Sequence, residues 1–228
     1  RGGCAEAAGG VGWRGSGGVA AAAELDRVMP VIGRLAVEWE VPVSIDAGKA
    51  IVMREAVGAG AAMINDVCAL EGDGALAAAA DLGVPVCLMH MRGKPRSMQQ
   101  APEYENVTGE VIDYLRRRMA ACVAAGIETD KLCVDPGFGF GKTLAHNLQL
   151  LGELDRFAEL GRPVLVGLSR KSMIGHMTGR DVDDRLPGSL ALAMLAAQKG
   201  AAIIRVQDVG PTVDVLRILH SLASSSRN

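Results

Sequence analysis

The feature that most constrains this chain is a junction that recurs five times: a helix-like stretch ends at a glycine and an apolar run follows. The glycines are Gly60 before Ala61-Ala62-Met63-Ile64, Gly83 before Val84-Pro85-Val86-Cys87-Leu88, Gly126 before Ile127, Gly161 before Pro163-Val164-Leu165-Val166, and Gly200 before Ala201-Ala202-Ile203-Ile204. Glycine accepts the left-handed conformation that closes a helix. The apolar runs are short and continuous rather than alternating, as expected when both faces of a parallel strand are covered. An earlier run, Pro42-Val43-Ser44-Ile45, precedes a helix near Lys49 to Ala59. Strands near 43, 63, 85, 132, 163 and 203 make six β/α units. Six units in strict alternation fit either a doubly wound sheet or an incomplete β/α barrel, and periodicity does not separate the two.

The clearest helix runs from Tyr104 to Ala125, where Val107, Val111, Leu115, Met119 and Val123 recur every four residues and are expected to form one buried stripe. Arg116, Arg117 and Arg118 are expected to spread over its solvated faces. Asp73 is placed to cap a helix from Gly74 to Asp81, and Pro211 suits the first turn of the last helix. Residues 1–18 are glycine-rich, hold Trp13 and show no period, so they are expected to be irregular or disordered, leaving 19–228 as one β/α domain.

With 228 residues, 49% of them hydrophobic, the chain is long enough for one large core. A formal charge of −2 gives neither a nucleic-acid footprint nor a membrane-surface patch and directs attention to a small-molecule partner. The five cysteines, Cys4, Cys68, Cys87, Cys122 and Cys133, lack CxxC spacing and read as free thiols of a reducing compartment. No apolar stretch approaches the roughly 18 residues of a membrane span, and no secretory leader is visible. The expected location is the cytoplasm.

In parallel β/α folds the working residues stand at the carboxyl ends of strands. Here those ends carry Asp46, Asn65-Asp66, Met89-His90, Asp135, Ser169-Arg170-Lys171 and Arg205-Val206-Gln207-Asp208. Any one of them serves equally well as a cap or a loop tie. Together they divide into acceptors and amides (Asp46, Asn65, Asp135) and cations (Lys171, Arg205, with Arg92 and Lys94 on a loop). A ligand with a donor-rich heterocyclic edge and an anionic group satisfies both halves.

The loop from Asp135 to Thr143 ends Gly141-Lys142-Thr143 but is not a P-loop, because Pro136 stands where that pattern needs glycine, and it lacks the third glycine of a dinucleotide fingerprint. Ser172 and nearby amides at a helix start are candidates for holding a carboxylate. The four histidines, His90, His146, His176 and His220, form neither HxxxH nor HExxH, so no zinc site is expected.

Three segments, Cys87-Leu88-Met89-His90-Met91, Asp135-Pro136-Gly137-Phe138-Gly139-Phe140-Gly141-Lys142 and Gly167-Leu168-Ser169-Arg170-Lys171-Ser172-Met173-Ile174-Gly175, closely resemble the dihydropteroate synthase family. The resemblance runs from about Ala23 to the C-terminus. It implies a (β/α)8 TIM barrel, with the six visible strands as the third to eighth. It also implies a magnesium-assisted reaction that joins p-aminobenzoate to 6-hydroxymethyl-7,8-dihydropterin pyrophosphate and expels pyrophosphate.

By position, Asp46, Asn65, Met89, Asp135, Lys171 and Arg205 resemble the family's pterin site, with Asp46, Asp135, Lys171 and Arg205 as its catalytic set. Phe140, Lys171 and Ser172 resemble the p-aminobenzoate side. A homodimer is a further expectation of the resemblance, as is membership of a family that is a sulfonamide target.

The departures are as informative. Neither the family's Asn-Val-Thr-Pro-Asp-Ser-Phe-Ser stretch, whose asparagine helps hold the metal, nor its Gly-Glu-Ser-Thr-Arg-Pro-Gly loop is present, so no protein metal ligand is assigned. Ala47-Gly48 follows Asp46 where a hydroxyl residue is usual, and Gln207 replaces a usual histidine. Two absent strands leave barrel edges unpaired, and the chain is expected to be a fragment or a mis-read frame of weak activity. A pterin binder without catalysis and a methyltetrahydrofolate-dependent methyltransferase with a corrinoid partner are the alternatives.

Overall fold

A computed structural model describes residues 5–8, 19–93 and 102–225. The glycines at all five junctions have positive φ: Gly60 110°, Gly83 64°, Gly126 95°, Gly161 63° and Gly200 92°. After Gly60 a strand begins at once. After Gly126 it does not, because a 3-10 turn at Thr129–Lys131 intervenes before the next strand at Leu132.

The chain alternates β1 (Ala5–Ala8), α1 (Ala21–Glu38), β2 (Val43–Asp46), α2 (Ala50–Gly58), β3 (Ala61–Asp66), α3 (Ala75–Leu82), β4 (Val86–Met89) and α4 (Val107–Ala124). Then follow β5 (Leu132–Asp135), α5 (Leu144–Gly152), β6 (Leu165–Gly167), α6 (Ser172–Thr178), α7 (Leu186–Gln198), β7 (Ile203–Arg205) and α8 (Val209–Ser225). Strands β1 to β5 form one sheet in sequence order, and β6 pairs with β7. Every pair is parallel, and a bridge between Val134 and Val164 joins the two sets. Because spatial order never reverses against sequence order, the winding is that of a β/α barrel and not of a doubly wound sheet. The barrel is not closed among the described residues, where β1 and β7 do not pair with each other.

Three expectations need correction. Within residues 1–18, Ala5–Ala8 is not irregular but a strand in register with Val43–Asp46 of β2, so the described residues hold seven strands where six were expected. Backbone pairing with β2 supplies an order that side-chain periodicity does not record. In α4, Val107, Val111 and Leu115 are buried, but Val123 is 46% exposed and Cys122 is buried instead. A four-residue step advances about 40° around a helix, so a stripe at that spacing walks off the core side within a few turns. Asp73 gives no side-chain cap to α3, whose N-cap is the left-handed Gly74.

The core lies between strands and helices, with Ile45, Ile64 and Leu88 from the sheet meeting Ile32, Met53, Leu115 and Phe157, all fully buried. Arg116 is a surface residue paired with Asp113 and Glu159, but Arg118 turns inward, its Nε donating to the Ala69 carbonyl at 2.8 Å. Among the described cysteines Cys87, Cys122 and Cys133 are buried free thiols and Cys68 is partly covered. No helix among the described residues is long and apolar enough to cross a membrane.

Candidate active site

Parallel register brings the polar strand ends side by side. Asp46 pairs with Asn65, Met89 with Asp135, and Gly167 with Arg205. Asn65 and Asp66 are adjacent in sequence yet differ in role. The Asp66 carboxylate accepts from the amides of Cys68 and Leu70, each at 2.9 Å, and holds a turn in which Ala69 and Leu70 have positive φ. Burial raises the Asp66 carboxyl above its usual range despite those bonds. The Asn65 side chain is 1% exposed, and neither its Oδ1 nor its Nδ2 has a hydrogen-bond partner. A buried amide left this way costs about 1–3 kcal/mol, which a ligand that pairs both atoms recovers.

Across the barrel, Arg205 Nη2 lies 3.4 Å from the Asp135 Oδ2. The two residues belong to β7 and β5, with β6 between them. The intervening position is Gly167, where an added Cβ would meet Arg205 Nη2 at 3.1 Å. Glycine is what lets the guanidinium cross β6. The other oxygen of Asp135 accepts from the Gly137 amide at 2.7 Å, so the carboxylate is oriented from both sides.

The β6 exit is shaped by Arg170, a non-glycine residue with φ of 54°. Its guanidinium grips Asp208 with Nε and Nη2 at 2.8 and 2.9 Å, and its amide donates to Ser189 Oγ at 2.9 Å. With Arg170 turned to Asp208, both its neighbours, Ser169 and Lys171, line a cleft of about 790 Å³. Phe140, Arg205 and Gln207 line it too, with Ser44 and Met63 from the barrel interior. Lys171 Nζ donates to the Phe138 carbonyl and lies 4.7 Å from the centre of the Phe140 ring. Loss of solvation draws the Lys171 ammonium down to about 8, against the attraction of Asp135.

The candidates therefore fall into groups. Phe140, Lys171 and Arg205 line the cleft, while Asp46, Asn65, Met89 and Asp135 stand at the neighbouring strand ends outside its lining, Asp135 joined to it through Arg205. Ser172 opens α6 but does not line the cleft. Arg92 is engaged elsewhere, paired with Glu110 and stacked 4.4 Å over the Tyr104 ring, and Lys94 lies outside the described residues. Ser169 was visible only as a strand-end residue. Its Oγ is buried and without a hydrogen-bond partner, and the residue lines the cleft beside Lys171. No sequence pattern announces it, because its placement depends on the left-handed Arg170.

Known proteins with this arrangement are recognisable. Residues 10–207 match the profile of the pterin binding enzymes. The chain is 49% identical over 205 residues to the dihydropteroate synthase of Escherichia coli K12, covering 90% of this chain and 73% of that one. It is 48% identical over 202 residues to the Haemophilus influenzae enzyme, covering 89% and 74%. The chain belongs to the dihydropteroate synthase family.

Members of the family are transferases, and their solved structures superimpose on this fold. Yersinia pestis dihydropteroate synthase in a sulfonamide drug complex matches at a TM-score of 0.94 with 45% identity, over 97% of this chain and 80% of that one. The Xanthomonas albilineans dihydropteroate synthase in complex with 7,8-dihydropteroate matches at 0.85 with 51% identity, over 90% and 76%.

Proposed function

We propose that the cleft and the polar strand ends beside it bind a hydroxymethyl-dihydropterin pyrophosphate and p-aminobenzoate and join them as 7,8-dihydropteroate, releasing pyrophosphate. The observation that carries the reading is Asn65, a buried amide with neither polar atom paired, at a strand end beside Asp46 in a barrel whose cleft carries the cations Lys171 and Arg205. Its donor and acceptor complement a pterin edge, and the carboxylates of Asp46 and Asp135 stabilise positive charge as it develops on that ring. Arg205 and Lys171 supply positive charge where the leaving pyrophosphate gathers negative charge. The aromatic amine attacks the exocyclic carbon with its lone pair, the carbon–oxygen bond to pyrophosphate breaks, and the amine gives up a proton. Catalysis on this reading is positioning and electrostatics, with no covalent intermediate on the chain.

Magnesium is an expectation of the family resemblance, but the described residues gather no group of three or more metal-ligating side chains. A cytoplasmic homodimer belongs to the same reading.

The test is a coupled assay for pyrophosphate release on this chain and on Asn65→Leu, together with calorimetric titration of a pterin. Turnover with pterin binding weakened roughly ten- to a hundredfold by Asn65→Leu is the expected outcome. Removing a buried unpaired amide should leave the melting temperature unchanged or raised. Pterin binding without pyrophosphate release would make the chain a non-catalytic binder. A requirement for a corrinoid protein would point to the methyltransferase.

A further inference from the structure

The glycine loop between Asp135 and Thr143 has a buried cation behind it that the reaction just described does not use. Lys142 is 3% exposed, and its Nζ lies 2.9 Å from His90 Nδ1 and 3.0 Å from each of the Gly137 and Phe140 carbonyls. The His90 carbonyl is a further acceptor at 3.4 Å. Among the described residues no carboxylate bonds this ammonium. Its protons go to backbone and to an imidazole, an arrangement that holds a loop in shape and does not form a salt bridge.

The imidazole is a fitting partner. Burial and the adjacent Lys142 charge hold His90 neutral, lowering it to about 2, and its ring meets Tyr114 edge-on with centroids 4.9 Å apart. Loss of solvation brings the Lys142 ammonium itself down to about 7.

The loop has no room to relax around this contact. Gly137, Gly139 and Gly141 all have positive φ, and a Cβ on Gly137 or Gly141 would overlap the carbonyl oxygen of His90 or Arg92. The Gly139 amide is held by Asn147 Oδ1 at 2.8 Å, and Tyr104 donates to the Gly141 carbonyl at 2.9 Å. On the cleft side, Lys171 takes the Phe138 carbonyl. The two lysines thus hold opposite faces of one loop, Lys171 from the cleft and Lys142 from within the protein.

We propose that Lys142 is a positioning residue for the p-aminobenzoate side of the cleft: it fixes the Gly137 to Gly141 backbone so that the Phe140 ring and the Lys171 ammonium face the cleft together. The inference rests on the function proposed above. An apolar replacement removes the ammonium from the Gly137 and Phe140 carbonyls, leaves the buried Gly137 carbonyl with the Phe140 amide at 3.1 Å in place of two donors, and loosens the loop. A displacement of about 1 Å at a reacting partner costs as much as a hundredfold in rate.

The deciding experiment compares Lys142→Met and Lys142→Arg with the unaltered chain by steady-state kinetics and by hydrogen exchange of the peptide containing residues 137–141. In Lys142→Met, kcat/KM for p-aminobenzoate is expected to fall about ten- to a hundredfold, mostly through KM. The pterin dissociation constant should change far less, and exchange should accelerate in that peptide. Lys142→Arg, which keeps the charge and donors, should recover part of both losses. Equal losses for both substrates, or a lowered melting temperature with unaltered kinetics and exchange, would overturn the proposal. If Lys142→Met does not fold, Lys142→Arg decides alone by the same kinetic split and exchange. Absence of turnover in the unaltered chain counts against the proposed function, while exchange still decides the role of Lys142.

Discussion

Lys171 reaches the cleft with its ammonium shifted to about 8 because the surrounding protein strips away its solvation. Below that pH it is charged and, on the proposed function, would attract the carboxylate of p-aminobenzoate; as pH rises through it, the charge and that attraction would be lost. The KM for p-aminobenzoate should therefore rise above pH 8, and Lys171→Met should have a high KM with that alkaline limb abolished. A limb unchanged in the variant would assign the titration to another group. Gly167 offers a second test at the same scale. An added Cβ would stand 3.1 Å from Arg205 Nη2, within the path of the guanidinium to Asp135. Gly167→Ala should keep the melting temperature within a degree or two of the parent and lose about tenfold in kcat/KM. A variant that melts early would show the glycine to be needed for packing instead. That Gly167 lies between its two partners cannot be read from the sequence, because it depends on the register of three strands.

At the scale of elements, the exits of β6 and β7 are tied to each other as well as to the helices that follow. Arg170 and Asp208 form the tie, with Nε and Nη2 of Arg170 each on one carboxylate oxygen. The Arg170 guanidinium also reaches the carbonyls of Val182 and Asp183 at 3.2 Å, and its own carbonyl accepts from Arg185. Arg170→Ala and Asp208→Ala should each raise both KM values several-fold, and the double variant should be little worse than either single one. Additive losses would mean that the two act independently. Most elements were legible in the sequence because continuous apolar strands and glycine stops are local signals. The exceptions have non-local causes: Ala5–Ala8 is a strand through its pairing with β2, and the drift of α4 shows only in what it packs against. In the candidate site, the strand-end rule picked out Lys171 and Arg205, which line the cleft, and Asp46, Asn65 and Asp135, which stand outside its lining, but the place of Ser169 in that lining goes with a left-handed arginine that no residue preference foretells.

For the whole molecule, the last helix carries apolar surface that the fold does not cover. Ile218 and Leu222, one helical turn apart on α8, are 63% and 62% exposed. On α7, Met194 and Leu195 are 36% and 40% exposed. A soluble chain seldom leaves such a group of large apolar residues open to water unless another surface covers it. A second copy can do so with the same face, because a two-fold interface is self-complementary. A homodimer built on α8 should then break when that face is charged. In sedimentation equilibrium at micromolar concentration, the unaltered chain should behave as a dimer and Ile218→Glu/Leu222→Glu as a monomer, since each buried leucine or isoleucine is worth about 1.5–3 kcal/mol. The site residues lie at the strand ends and are not on this face, so a monomeric variant that still binds a pterin would separate assembly from recognition. A dimer that survives both substitutions would place the interface elsewhere and leave the apolar face of α8 to another partner.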